Sequence, residues 1–171
     1  YIGEGSTSSL SLAAGQMISG AILINDNATL TLNSGSSTDN TIDGFSSGVG
    51  NLTISGGAVV AGANIGGTSA LSTVTVGSGA TLNVGNFSLR ANTVSLTGTL
   101  AIGVGTITGT VSGASNGVGV VNLNGSNTFG GDIGVSGYAL SSVVIAANQT
   151  INTGSHNLYS TAITLSSASV L

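Results

Sequence analysis

The sequence has no cysteine, no proline and a single basic residue, Arg90, and its aromatic content is only 4%. Without cysteine, neither a disulfide framework nor thiolate chemistry is available. One arginine and a net charge of −4 argue against binding to a nucleic acid backbone or an anionic membrane surface, because both need several basic side chains. So few aromatic residues cannot fill a thick globular core. The sequence therefore favours a narrow core built from many small aliphatic side chains.

Charged residues are equally scarce, at 4% against roughly 25% in typical globular domains. This does not indicate disorder, because 40% of the residues are hydrophobic and they alternate with polar ones. The longest apolar run, residues 143–147, is far shorter than the roughly 20 residues of a transmembrane helix. Glycine, with 29 residues, separates the alternating segments. The sequence therefore predicts short strands joined by glycine-rich turns.

A repeat of 22 residues organises the chain. It is clearest in residues 72–85, where two alternating strands flank a Gly-Ser-Gly turn. Aliphatic residues recur at this interval at Leu30, Leu52, Val74 and Leu96, and threonines recur one position later at Thr31, Thr53, Thr75 and Thr97. Repeats of roughly 20–50 residues are typical of stacked architectures. Strands this short predict that one repeat forms one coil of a solenoid.

We therefore predict an all-β fold over residues 1–171, a single-stranded parallel β-helix or β-solenoid with 22 residues per coil. Equivalent strands would pair about 4.8 Å apart, with the aliphatic ladder inside and the threonine ladder outside. The second strand of each coil would bury Val60, Leu82 and Val104, and Phe45 would also point inward. A phase slip near residues 106–120 predicts a lengthened corner at residues 112–119. An antiparallel sandwich is the alternative fold, although it needs no fixed register.

Residues 121–131 read V-N-L-N-G-S-N-T-F-G-G. This segment resembles the repeat of autotransporter passenger domains through Asn124, Gly125, Asn127, Thr128, Phe129, Gly130 and Gly131. The composition of the whole chain is similar to that of large surface antigens of Gram-negative, rickettsia-like bacteria. The resemblance implies a right-handed β-helix displayed outside the cell and carried there by a C-terminal membrane barrel, and it implies no catalytic residue. The sequence shows neither a signal peptide nor a barrel, and we expect either a mature piece or a fragment of a longer protein.

Few residues could carry chemistry. His156 is the only histidine, and no nucleophile motif surrounds a serine, so we expect a solvated corner histidine. Asp26, Asp39 and Asp43 could supply oxygen ligands to Ca²⁺, but polar loop residues are the preferred interpretation. Asp39 and Asp43 could also form the carboxylate pair of a carbohydrate-cleaving enzyme, whereas Glu4 and Asp132 are isolated. We expect no enzyme activity, no metal and no cofactor.

The function that we expect is a non-enzymatic display module, a passenger-type segment of a bacterial surface adhesin, located at the cell surface. Its partners would be a host or neighbouring cell surface, without direct membrane insertion. A self-assembling subunit of a fibre or coat is the alternative, because the open ends of a solenoid are unpaired strand edges that favour self-association. A third hypothesis is an ice-binding or carbohydrate-active solenoid. The T-x-T segments 29–31 and 73–75 fit an ice-binding array, whereas residues 51–53 and 95–97 do not keep both threonines.

Overall fold

The computed structural model describes residues 1–3 and 7–171, and in this part of the chain all regular structure is β. Most strands are four residues long or shorter, as the alternating segments predict. In chain order they are β1 (Ser9–Leu12), β2 (Met17–Ile18), β3 (Ile22–Ile24), β4 (Thr29–Leu32), β5 (Ser37–Thr38), β6 (Ile42–Gly44), β7 (Asn51–Ile54), β8 (Gly57–Ala61), β9 (Leu71–Val76), β10 (Ala80–Gly85), β11 (Leu89–Leu96), β12 (Thr99–Ile102), β13 (Gly105–Gly113), β14 (Val120–Leu123), β15 (Asn127–Gly130), β16 (Ser142–Ile145), β17 (Ile151–Asn152) and β18 (Ile163–Leu165).

The strands stack into a β-solenoid of about seven turns with roughly 21 residues per turn. One eight-stranded sheet has the order β1-β4-β7-β9-β11-β13-β15-β17, a second has the order β18-β16-β14-β12-β10-β8-β5-β2, and β3 pairs with β6. The pairings between these strands are parallel. This confirms the predicted β-solenoid and contradicts the antiparallel sandwich. The right-handed winding implied by the family resemblance stays a prediction.

The solenoid has three sides, and the two longest strands, β11 and β13, each contribute to two of them. The carboxyl halves of β11 and β13, residues 93–96 and 110–113, pair with each other and continue the stack of β1, β4, β7 and β9. We call this stack the first side, and the sheet from β2 to β18 the second side. The amino halves of β11 and β13 pair separately, and single bridges at Ile65 connect them to β6. This third side comprises β3, β6, those amino halves, β15 and β17.

The core consists of aliphatic columns that run from coil to coil inside the three sides. The columns are Leu30–Leu52–Val74–Val94–Val111 on the first side, Val59–Leu82–Leu100–Val121–Val143 on the second, and Ile22–Ile42–Ile65–Leu89–Ile107–Phe129 on the third. All of these side chains are buried. Burial contributes about 1.5–3 kcal/mol for each such side chain. The stability of the fold is therefore spread along the stack.

The predicted ladders are correct as far as Val74 and Thr75, and wrong in the next coil. Val94 pairs with Val74, and Ser95 pairs with Thr75. Leu96 is buried but belongs to the neighbouring column, where it pairs with Val76, and Thr97 lies beyond the strand in the following turn. The physical reason is a shorter corner. Five residues, 66–70, separate Ile65 from β9, whereas only a bulge at residues 91–92 separates the two halves of β11.

Three side chains predicted to be buried are exposed. Val60 is 50% exposed because its neighbour Val59 pairs with Leu82 and takes the inward position. Val104 is 59% exposed in a corner, and Leu100 occupies the core column instead. Phe45 is 56% exposed and packs its ring edge-on against Tyr1, with the ring centroids 5.6 Å apart. The 22-residue interval therefore selected the outward neighbour of a core residue at Val60 and a corner residue at Val104, and Phe45 lies in the corner after β6.

The irregularity expected near residues 106–120 begins earlier in the chain. Val94 pairs with Val111, only 17 positions away, so the shortest coil precedes the predicted corner. A turn does follow β13 at residues 114–119, within the predicted corner, and β13 itself continues to Gly113. Variable corners thus change the coil length while the inward side chains keep their columns.

Candidate functional site

Several residues of the predicted repeat motif connect neighbouring coils. Asn127 is buried, and its Nδ2 donates to the carbonyl oxygens of Gly103 at 2.6 Å and Gly105 at 3.4 Å. Phe129 fills the third-side column, whereas Thr128 is exposed beside it. Asn124, which is exposed, donates its backbone N–H to Ile102 at 2.8 Å. This segment therefore links one coil to the coil before it.

Close stacking explains two of the motif's glycines. A Cβ at Gly125 would lie 2.5 Å from the carbonyl carbon of Gly103, and one at Gly131 would collide with the carbonyl oxygen of Gly109. Both positions therefore exclude any side chain. Gly130 differs, because a Cβ there would make only an ordinary contact of 3.6 Å with Thr108.

Aspartates and asparagines at the corners tie each coil to the next. The buried carboxylate of Asp43 accepts hydrogen bonds from the backbone N–H groups of Thr68 at 2.9 Å and Ser69 at 3.3 Å. Asn64 accepts from the Ser88 N–H in the same way, at 2.9 Å. Such bonds satisfy corner N–H groups that the sheets leave free. Sequence reasoning treated Asp43 as a polar loop residue and missed this role, since the partner lies 25 residues away.

The other aspartates named as possible Ca²⁺ ligands do not converge on one site. Asp39 is exposed and accepts a hydrogen bond from the Gly20 N–H at 2.9 Å. That bond, and next the Ser19 hydroxyl, hold the pKa of Asp39 below its usual value. Asp26 adopts a positive φ of 43° in a turn of its own. The described residues contain no group of three or more acidic, histidine or cysteine side chains that could hold a metal ion. Glu4 lies outside the described residues.

His156 is paired with Asp132. Its Nδ1 lies 3.7 Å from Asp132 Oδ1, and both side chains are about one-third exposed. The same carboxylate oxygen accepts the Asn157 N–H at 2.9 Å, as Asp43 accepts its partners in another coil. Asp132 is therefore a corner residue that joins two coils, and His156 lies at its solvent side, as expected of a corner histidine.

The outward positions of the first side form an array of hydroxyl groups. Two columns run along it, 11 of the 12 positions carry serine or threonine, and every position except the buried Ser112 is half-exposed or exposed. The columns are Ser9–Thr29–Asn51–Thr73–Thr93–Thr110 and Ser11–Thr31–Thr53–Thr75–Ser95–Ser112. The outward columns of the second side are mixed, with Ala58, Thr81, Thr99 and Val120 in one and Val60, Asn83, Ala101 and Asn122 in the other. The hydroxyl array is therefore specific to one side, and no charged residue interrupts it.

Two open grooves lie along the corners between the sides. One, of about 360 Å³, contains Arg90, Asn92, Thr108 and Thr110 around a floor of alanine and glycine. The other, of about 380 Å³, is lined by residues such as Thr81, Thr99 and Ser141, and its lining includes no charged side chain. Sequence reasoning found neither groove, because each combines residues from several coils.

Comparisons with protein-family models, curated proteins and solved structures found no match to this chain. Within the described residues, the structure contains no helix with the length and apolar character needed to cross a membrane. The similarity to autotransporter passenger domains therefore stays an inference from the sequence, and the functional argument depends on the solenoid and its surfaces.

Proposed function

We propose that this chain is a passenger-type segment of a bacterial surface adhesin, a β-solenoid rod that presents its outer sides at the surface of a Gram-negative cell. The observation that carries the proposal is the unbroken set of aliphatic columns, which makes a rod from a chain with few aromatic side chains. About seven turns at the strand spacing of roughly 4.8 Å give a rod about 34 Å long. The passenger-like segment supports the proposal, because its asparagine, phenylalanine and glycines join consecutive coils.

The low charge of the chain is consistent with this function. With one arginine and a net charge of −4, the rod has no positive electrostatic potential that would attract nucleic acid or anionic lipid. Its partners are therefore expected to be surfaces recognised by shape, hydroxyl groups and local grooves. No catalytic step is part of the proposal.

Labelling of cells that produce the parent protein would test display. Antibodies against this chain should label intact cells as strongly as permeabilised cells, and protease added outside should remove the signal. Labelling only after permeabilisation would overturn the proposal. Negative-stain microscopy of the purified chain then addresses the coat alternative, since isolated short rods support display, whereas filaments or sheets support self-assembly.

The hydroxyl array favours a second candidate function, binding to ice. Its rungs repeat about every 4.8 Å along the stack, and outward residues on one strand lie about 6.7 Å apart. Regular two-dimensional spacing of hydroxyl groups can match the repeating oxygen positions of a crystal surface. The 22-residue interval aligned residues 95–97 with residues 73–75, which argued against ice binding. In the structure, Thr93 pairs with Thr73 and Ser95 pairs with Thr75, so both lie in the array.

Thr75→Lys and Thr81→Lys form a matched pair for this candidate. Both threonines are half-exposed and point outward, but only Thr75 lies in the hydroxyl array. If the array binds ice, the wild-type chain shows thermal hysteresis, Thr75→Lys abolishes most of it and Thr81→Lys retains it. Absence of hysteresis in the wild-type chain, or equal loss in both variants, would refute ice binding.

A further inference from the structure

The groove around Arg90 forms where the corner between the third and first sides becomes short. This corner spans residues 45–50 in one coil and 66–70 in the next, then residues 91–92 and finally Gly109 alone. The groove is lined by Ser47 and Ala70 from the longer corners together with Asn92 and Gly109 from the shorter ones. The groove is therefore a step in the outer surface of the rod, with a volume of about 360 Å³. That volume lies at the lower end of ligand sites, which measure roughly 300–1,000 Å³.

The only basic side chain of the protein lies in this step. Arg90 points outward from the third side in a chain whose net charge is −4. In the described part of the chain, the one contact within 4.0 Å between an acidic side chain and a histidine or arginine joins His156 and Asp132, and the groove lining includes no carboxylate. The Arg90 guanidinium therefore has no acidic partner among the described residues. Arg90 as a residue is half-buried, and its guanidinium provides a fork of donors suited to a planar carboxylate.

Gly130 keeps the groove open. It pairs with Thr108, which pairs with Arg90, so these three residues are neighbours on successive coils. Gly130 lies in strand β15 without a positive φ, and a Cβ there would lie 3.6 Å from Thr108, an ordinary van der Waals contact. Packing does not require glycine at this position, unlike Gly131 and Gly109. The missing side chain leaves space directly beside the Thr108 hydroxyl.

We propose that the Arg90 groove binds a carboxylate-bearing saccharide, a uronic acid unit of a polysaccharide. The Arg90 guanidinium pairs with the sugar carboxylate, and Thr108, Thr110 and Asn92 supply hydroxyl and amide groups for the sugar hydroxyls. The alanine and glycine floor allows the ring to approach the backbone. Because the groove is open, the affinity is weak, with a Kd on the order of 1 mM. This site depends only on the groove's geometry and holds whether or not the rod is displayed on a cell.

Titration of the ¹⁵N-labelled chain with methyl galactosiduronate, followed by NMR, tests the proposal. Methyl galactoside, which lacks the carboxylate, and acetate, which lacks the ring, are the matched ligands. The expected result is a saturable shift of the Asn92, Gly109 and Gly130 amides with the uronate, and at least tenfold weaker binding of both comparison ligands.

Three variants locate the binding. Arg90→Gln should weaken uronate binding at least tenfold, and Gly130→Val should block the groove while leaving the far-UV circular dichroism unchanged. Thr99→Val changes the uncharged groove of similar size and should bind uronate like the wild type. The proposal is overturned if the wild-type chain shows no saturable shifts or if Arg90→Gln binds as well as wild type. Equal binding of acetate and uronate would overturn the saccharide assignment, and Arg90→Gln remains a decisive variant if Gly130→Val fails to fold.

Discussion

Val74 and Thr75 are adjacent on β9 but face opposite ways, so an aspartate at each position tests the facing of the central coil. Val74 is fully buried between Leu52 and Val94, which pair with it on either side. Thr75 is half-exposed and lies in the outward hydroxyl array. One step along the chain therefore separates a core position from a solvated one.

The expected difference between the two substitutions is large. Val74→Asp loses about 1.5–3 kcal/mol of apolar burial. A buried polar group without a partner costs a further 1–3 kcal/mol or so. Together these losses reach about 2.5–6 kcal/mol, against a total stability of roughly 5–15 kcal/mol for a typical domain. Thr75→Asp should stay within about 0.5 kcal/mol of wild type, as exposed substitutions usually do.

Urea unfolding followed by circular dichroism measures the stability difference. Because a solenoid is stabilised coil by coil, hydrogen exchange should show where stability is lost. In Val74→Asp, the amides of β7 and β11 should exchange faster than those of β16, whereas Thr75→Asp should leave all three unchanged. Equal destabilisation by the two aspartates would refute the inward and outward assignment.

Substitutions at Gly109, Asp43 and Asp39 test three further contacts of the fold. Gly109→Ala should destabilise the fold strongly, since its Cβ would collide with the Ala91 carbonyl oxygen at a φ of 106°, while Gly56→Ala, with nothing within 4 Å, should be neutral by thermal unfolding. Asp43→Ala should cost about 1–3 kcal/mol by removing the two partly buried hydrogen bonds that its carboxylate accepts from the Thr68 and Ser69 N–H groups, and Asp43→Asn should recover part of this. Because folding lowers the pKa of Asp39, its stabilising contribution is present above the unfolded value of 3.8 and is lost as pH falls toward the folded value. The gap in melting temperature between wild type and Asp39→Asn should therefore be constant well above pH 3.8 and shrink as the pH falls below it, and a gap that stays constant throughout would contradict this linkage.

The sequence was sufficient to predict the solenoid because its two main signals, alternation within a strand and recurrence between coils, can be read directly from the order of the residues. Alternation over four residues fixes a strand, and recurrence of aliphatic residues at a near-constant interval indicates stacking. Leu30, Leu52 and Val74 occupy one buried column, as predicted. Within the repeat motif, the Asn127 side chain bonds to the preceding coil, and Gly125 and Gly131 lie against that coil's backbone.

Register could not be predicted from a fixed interval, because the corners vary in length. Partner residues are 22 positions apart from Leu52 to Val74, 20 from Val74 to Val94 and 17 from Val94 to Val111. A bulge of two residues replaces a corner of five, and no local signal in Ala91-Asn92 announces it. Val60 was assigned to the core for the same reason, although Val59 beside it fits the interval nearly as well.

Pairing in this solenoid is governed by side-chain facing more than by coil length. A shift of one residue would turn every inward side chain of a strand to solvent, so the corners must absorb the differences between coils. Where a corner shortens, the surface steps inward, and the step between Ala70 and Gly109 contains the chain's one cation. A perfectly regular repeat would give identical corners and no such recess. The departures from the repeat, which make the register unpredictable from the sequence, are therefore also the features that give the rod a distinct binding groove.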